Sequence, residues 1–406
     1  MITKDSSKIL ISINEMYLPL FLLGFLFVFS ISNYSLISIS IKIIYSLPFY
    51  FFFKDFRKEV ESGILRRILL YALFIAGYFI LTILYSKNQG FGLLKLFIMA
   101  LSAVTLMPAA LLVFNSTRQR NIFINSLIAF ASIASLIAFL VSPFEYSTTY
   151  SFSVFRWSHV LFSRFIGLAL LLNLCLVLQQ KKRNLLLNLS LQIILFGLLL
   201  SGARGTIIIS FFCYLTLLFF SKSVNSIKFI AIIQIVLASV LFFTIGSSSG
   251  PDRLVNMQNV ILDRSKIDES MTNHIKILEI SIERFREYPV LGLGLGGFNS
   301  FYKTHFPEEI IYPHNIFLEA LVEQGIVGCL VLGILLYLLS RRIMRLGMKV
   351  YVMFLFALGL AMYSKDFTSN PLLLAFFAVY FIKPSDDDSR DAKLHIQNEN
   401  QFQLKF

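Results

Sequence analysis

Apolar runs of membrane-spanning length recur from Met16 to Lys383, separated mostly by short polar links, and this repetition constrains the fold more than any other feature. A hydrocarbon core about 30 Å thick needs roughly 17 to 25 apolar residues per helical crossing. The runs have that length, and the strict two-residue alternation of a membrane barrel is absent. With 57% hydrophobic residues and a mean hydropathy of +0.75, the chain reads as an all-α, polytopic transmembrane helical bundle. Hydropathy places spans at Met16–Ile31, Ser35–Phe53, Ile68–Tyr85, Phe91–Phe114, Ile122–Val141 and His159–Gln180. The run Asn184–Phe220 is too long for one crossing at about 1.5 Å per residue, so it predicts two helices with a turn at Ser201–Gly205. Ile227–Gly246, Asn315–Ser340, Met348–Ser364 and Pro371–Ile382 complete a set of about twelve.

Charge placement orients the spans. With a cytoplasmic N-terminus, the cytoplasmic links are Lys54–Arg67, Arg118–Arg120, Lys181–Arg183, Lys222–Lys228 and Arg341–Lys349, all basic, while the short outer links carry few cations. Both termini are therefore expected inside. The net charge of +13 would suggest nucleic acid in a soluble protein, but here it follows the membrane rule and implies no nucleic-acid partner. Lys4 and Lys8 precede the first run without a small-x-small cleavage site, so that run is read as a retained span. Cys175, Cys213 and Cys329 lie inside apolar runs, which indicates neither a disulfide framework nor a zinc site. The resulting organisation is a bundle of about nine spans over residues 1–246, a large periplasmic loop over 247–313, three C-terminal spans over 314–383 and a cytoplasmic tail over 384–406. Within the loop, Ile275, Leu278, Ile282 and Phe285 form a helical stripe that ends at Pro289, predicting an amphipathic helix over Met271–Tyr288.

This topology collects cations and histidines on the outer side: His159, His274, His305 and His314 with Arg156, Arg164 and Arg204. Guanidinium forks bind phosphate oxygens bidentately, so the cluster suits an anion such as a diphosphate. Arg204, in "SGARG", has two readings: a cation that ends a helix and snorkels, or one that holds an anion. Flanking glycines admit close backbone approach, and a charge at depth costs about 2.5–3.5 kcal/mol at mid-bilayer, which favours the anion partner. Arg156 and Arg164, beside Trp157, suit interfacial anchoring as well as substrate binding. Lys42 and Lys95 also lie within spans and are expected to face the bundle interior.

Gly292, Gly294 and Gly297 have the G-x-G-x-x-G spacing of a dinucleotide fingerprint, but no strand precedes them and no βαβ unit surrounds them. A tight turn that brings loop backbone close to the bundle is the expected role. In "YPHNIFLEALVEQG", Pro313 sets the chain's entry into a long helix with His314 and Asn315 at its outer end. A neutral imidazole there can accept a proton from a hydroxyl, although a backbone-satisfied helix-end histidine fits too. Glu319 and Glu323 lie deeper on the same helix, suited to orienting the histidine or pairing with buried arginines.

Together, "LLLSGARGTIII", "REYPVLGLGLGGF" and "YPHNIFLEALVEQGIVGCLVLG" resemble the successive landmarks of the O-antigen ligase and O-antigen polymerase superfamily, and His314, Asn315, Gly325 and Gly328 fit its H-N-x9-G-x-x-G pattern. The resemblance covers the second half by motif and the first half by span pattern alone. It implies a multi-span enzyme of the bacterial inner membrane that uses no cofactor or metal. The implied donor is a glycan on undecaprenyl diphosphate, and the acceptor is a glycan or lipid A-core. The resemblance further implies a membrane-lipid setting and a chain-length regulator protein as partner. On that analogy Arg204 holds the diphosphate and His314 activates or positions the acceptor hydroxyl, with Arg156, Arg164, His274, Asn315 and Glu319 as substrate-binding candidates. Ligases of this kind carry a further loop arginine before the amphipathic helix. Here His274 stands near that place, with Arg253 and Arg264 as alternatives, which tilts the expectation toward a repeat-unit polymerase over a ligase. A lipid-glycan transporter would need broken helices or ionisable residues at mid-membrane in both halves, and no such repeat is visible in the sequence. A non-enzymatic scaffold accounts for the spans but not for Arg204 and His314 together.

Overall fold

The computed structural model describes residues 62–115, 117–141, 159–179, 184–201, 203–220, 269–300, 312–363 and 370–380, with isolated positions 22, 43–44 and 232. All regular structure among them is helical, in ten helices: α1 (Ser62–Leu84), α2 (Gln89–Asn115), α3 (Thr117–Val141), α4 (His159–Gln179), α5 (Leu185–Leu200), α6 (Arg204–Phe220), α7 (Glu269–Glu287), α8 (Ile316–Met344), α9 (Met348–Tyr363) and α10 (Pro371–Val379). Four of these, α2, α3, α4 and α8, contain stretches long and apolar enough to cross a membrane, and α1, α5, α6 and α9 contain shorter apolar stretches. Apart from those isolated positions, the expected spans Met16–Ile31, Ser35–Phe53 and Ile227–Gly246 and the tail lie outside the described residues.

The long run from Asn184 to Phe220 divides as its length requires. The Asn184 side chain caps α5 by accepting from the Leu186 and Leu187 amides at 3.0 and 3.4 Å. At the other end, the Ser201 hydroxyl donates to the Leu198 carbonyl at 2.6 Å. The chain turns there, and the Ala203 carbonyl accepts from the Ile207 amide at 3.0 Å to start α6. Side chains thus satisfy backbone groups that a helix end leaves open.

By packing, the chain forms two compact units, one of residues 1–120 with 276–406 and one of residues 121–275. In the second unit α4 packs against both α5 and α6. Among its polar contacts, Asn173 donates to Ser190 at 2.7 Å, and Ser163 donates to Thr206 at 3.0 Å. In the first unit α2 lies against α1 and α10, and α9 lies between α8 and α10.

The defining feature of the first unit is a break in α8. Gly325 has φ 65° and ψ −162°, so the helix divides into a short N-terminal piece, Ile316 to Gln324, expected from the sequence to be the outer one, and a longer piece from Ile326 onward. A break inside an apolar helix strands backbone donors and acceptors, which must be paired again because lipid offers no partner. The turn after α7 does this. The Ile326 amide donates to the Pro289 carbonyl at 2.9 Å, the Val327 amide to the Val290 carbonyl at 3.4 Å, and the Leu293 amide to the Val322 carbonyl at 2.9 Å. The same turn is braced from the α1–α2 corner: the Lys87 amide donates to Leu293 at 3.1 Å, the Ser86 hydroxyl to Leu295 at 2.8 Å and the Tyr85 hydroxyl to Leu291 at 2.9 Å. Its glycines are required by this approach. Gly292, Gly294 and Gly296 have positive φ, so the third of the special glycines is 296, one before the residue that completes the G-x-G-x-x-G spacing.

Helix α7 forms as expected, and the residues it buries lie beside the apolar stripe. Ile275, Leu278 and Ile282 are 41, 46 and 40% exposed, whereas Ile277 and Ser281 are buried. Ile277 joins Leu293, Phe298 and Val322 in a core cluster with Ile280, Tyr288 and Leu318 against it. The buried line, Ile277 and Ser281, runs one position beside the apolar stripe and packs on Leu293, Phe298 and Val322.

Substituting Gly325 by alanine forces a Cβ into the backbone of Val290 and Leu291 at a left-handed φ. Gly333 lies on the same helix with open space around it. Gly325→Ala is expected to lower stability by about 2 kcal/mol or more, and Gly333→Ala to leave it unchanged or raise it by about 0.5–1 kcal/mol. Thermal unfolding of the two purified proteins measures the contrast.

Candidate active site

The N-terminal end of α8 is organised by Asn315. Its side-chain oxygen accepts from the Phe317 and Leu318 amides at 2.9 and 3.1 Å, and its backbone is extended, the geometry of a helix N-cap. Asn315, expected to bind substrate, therefore caps the helix that carries the neighbouring histidine. His314 has φ 56°, a left-handed conformation unusual for a residue with a side chain. It is half-buried, and its ring lies 4.7 Å from that of Tyr312. Strained backbone of this kind persists only where its surroundings over-determine it, and it gathers at functional sites.

One turn into the helix, Glu319 is 5% exposed, and Glu323 another turn on is 2% exposed. Both carboxylates reach one ammonium: Lys95 Nζ of α2 lies 2.5 Å from Glu319 Oε1 and 2.8 Å from Glu323 Oε2. Lys95 is itself 1% exposed. It faces the bundle interior as expected, and both carboxylates pair with this lysine. The signal was legible in outline, since a cation inside one apolar run and two carboxylates at i, i+4 inside another each require a partner. Which partner was decided by packing.

The triad lines a cavity of about 380 Å³ among α1, α2, α8 and α10. Its other walls are mostly aliphatic and aromatic, including Phe74 of α1, Met99 of α2, Leu335 of α8 and Phe377 of α10. The Tyr78 hydroxyl donates to Gln324 Oε1 at 3.3 Å beside it. Such a space suits hydrocarbon along most of its surface, with charge confined to one wall.

In the second unit, Arg204 is the first residue of α6, where unpaired helix N–H groups and the helix dipole favour an anion. Arg164 is 7% exposed in the second turn of α4. The Ser163–Thr206 hydrogen bond brings the first turns of α4 and α6 together, so the backbones of Arg164 and Arg204 belong to one end of this unit. His274 is on α7 and open to solvent, yet partial desolvation lowers its pKa from the ordinary histidine value. An imidazole held neutral is a weaker anion clamp than the guanidinium it was expected to replace. Arg156 lies outside the described residues. Arg164, Arg204 and His274 fall in the second unit, and His314, Asn315 and Glu319 in the first.

A family model described as O-antigen ligase matches residues 189–333, from within α5 to α8. The matched segment contains Arg204, His274, His314, Asn315 and Glu319. A comparison with curated proteins finds no match.

The capping role of Asn315 is directly testable. Asn315→Ala is expected to cost about 1 kcal/mol, within the range of roughly 0.5–2 kcal/mol for lost N-caps, and Asn315→Asp to restore most of it. If Asn315→Ala lowers activity while leaving the unfolding temperature unchanged, the residue acts on substrate and not as a cap.

Proposed function

Because the match at residues 189–333 supports the O-antigen ligase and polymerase superfamily, we propose that this integral membrane protein is a glycan transferase acting on undecaprenyl-diphosphate-linked oligosaccharide. The proposed reaction takes place at the periplasmic face of the inner membrane. The reading favoured is a repeat-unit polymerase of surface polysaccharide, and the alternative is a ligase that moves the glycan to lipid A-core. The observation that supports it most is His314, held at φ 56° at the head of a capped helix inside the matched segment.

In the proposed chemistry, a hydroxyl oxygen of the acceptor attacks the anomeric carbon of the donor. The carbon–oxygen bond to diphosphate breaks, and undecaprenyl diphosphate leaves with the electron pair. The hydroxyl proton passes to His314, whose neutral imidazole suits that task. Diphosphate is already a competent leaving group, so the protein's main work is orientation and charge stabilisation. Arg204, with Arg164 at the same end of its unit, is assigned to the diphosphate. The apolar cavity beside the Lys95 triad offers room for part of a lipid chain. A transporter of lipid-linked glycan is a weaker reading. Among the described residues a non-helical position interrupts α8 alone, and the transporter reading needs the counterpart in the other half.

Sidedness underlies the assignment. Cysteine labelling at Ser248 is expected only from the periplasm and labelling in the tail only from the cytoplasm; the reverse pattern removes the site from the donor's side. Arg204→Ala is expected to abolish transfer with insertion intact, and Arg204→Lys to recover little, because a point charge does not reproduce a bidentate fork. His314→Ala should lower turnover about 10²–10⁴-fold if the imidazole is the base. Substantial activity in His314→Gln would instead make it a hydrogen-bonding positioner. With purified protein and lipid-linked repeat units, ladders formed without lipid A-core identify a polymerase, and product that requires lipid A-core identifies a ligase. Absence of both products from folded protein rejects the transferase reading.

A further inference from the structure

The outer piece of α8 is mechanically separate from the rest of its helix. Gly325 interrupts the helical ladder, and the Ile326 and Val327 amides are given to the Pro289–Val290 backbone. The orientation of residues 316–324, and of the histidine before them, is therefore not carried by a continuous helical ladder from the long inner piece, which touches the segment through Cys329 Sγ on the Phe317 carbonyl at 3.4 Å. The Asn315 cap is internal to the segment and holds it to nothing else. The Leu293 amide on the Val322 carbonyl holds its inner end at 2.9 Å, and two longer contacts reach it as well, from the Tyr78 hydroxyl to Gln324 Oε1 at 3.3 Å and from Cys329 Sγ to the Phe317 carbonyl at 3.4 Å. The two side-chain contacts are uncharged and at the long end of hydrogen bonding, so they restrain rotation about the segment's own axis only weakly.

Lys95 supplies the shortest and only charged restraint on that rotation among the described residues. Glu319 and Glu323 are one turn apart and share a face of the segment, and one ammonium from α2 contacts both, at 2.5 and 2.8 Å. Apolar contacts would let the segment roll with little penalty. Two short charge-assisted hydrogen bonds, each with a preferred direction and all but dry, do not. With side-chain tips about 5–6 Å from a helix axis, a roll of roughly 20° carries a tip through about 2 Å. A displacement of 1 Å at a reacting group can cost on the order of 10²-fold in rate.

We propose that Lys95 is a positioning residue for His314: its buried clasp on Glu319 and Glu323 sets the rotation of the short outer piece of α8 and so aims the imidazole. The role of His314 in transfer rests on the function proposed above, whereas its aim does not. Removing the lysine alone leaves two buried carboxylates and risks misfolding. The decisive variant is therefore the charge-free triple substitution Lys95→Met, Glu319→Gln, Glu323→Gln, which keeps volume while abolishing the ion pairs.

Two measurements on the full-length purified protein test it. In steady-state transfer with lipid-linked repeat units, the triple variant is expected to lose about 10²-fold in kcat with little change in KM for the donor. In carbethoxylation by diethyl pyrocarbonate, read by peptide mass spectrometry, the rate at His314 is expected to change several-fold, with His395 of the tail as the internal reference. A folded triple variant with wild-type kcat and wild-type labelling of His314 overturns the proposal. A lower yield of folded protein whose molecules turn over and label normally also overturns it, since Lys95 is then a stability element only. If the wild-type protein transfers no glycan, the functional reading fails and the labelling result alone decides whether Lys95 aims His314.

Discussion

A lysine buried to 1% exposure between two carboxylates is the contact on which the described architecture of the first unit depends. An ammonium in an apolar interior has no acceptable state without partners, because moving a charge out of water costs several kcal/mol even after relaxation. Lys95 therefore cannot tolerate α2 and α8 in any arrangement that parts it from Glu319 and Glu323. Aliphatic residues could hold the two helices together at least as tightly, since buried ion pairs are often no more stabilising than the hydrophobic groups that replace them. What charges add is direction, and direction is what a short, interrupted helix needs.

The interruption is a matter of backbone accounting. Gly325 takes a conformation that ends the helical ladder, and the turn from Pro289 to Leu293 supplies the acceptors and the donor that the break leaves over. Each side of this exchange explains glycines on the other. A Cβ at Gly292 would strike the backbone of residues 323–325, and one at Gly325 would strike Val290 and Leu291. Two stretches far apart in sequence, one resembling a nucleotide-binding loop and one a plain spanning helix, thus form a single structural joint. The joint sets the inner end of the segment that leads to His314, and the Lys95 triad sets its rotation.

The elements were more legible than their faces. The division of Asn184–Phe220 followed from length alone, because helical rise and bilayer thickness leave no other solution. The helix after residue 268 followed from periodicity and its stop at Pro289. Its packing face did not: Ile275, Leu278 and Ile282 are exposed while Ile277 and Ser281 are buried. Which of two neighbouring lines on the helix is buried depends on what packs against it, here Leu293, Phe298 and Val322. Asn315 shows the same division of labour, since an H-N pair ahead of a helix reads as chemistry, and the asparagine proves to be the cap that lets the histidine stand where it does.

By itself the sequence determined that the chain is a helical membrane protein, where many of its helices begin and end, and that charged residues inside apolar runs must find partners. These follow from local properties: hydropathy, rise per residue and the cost of an unpaired charge. Tertiary structure alone decided that Lys95 answers both Glu319 and Glu323, that α8 breaks at Gly325, and that the turn after α7 fills the break. Each of those is a pairing between segments roughly 30 to more than 200 residues apart. No local propensity encodes such a pairing, because it exists only where the folded chain brings a donor within reach of an acceptor.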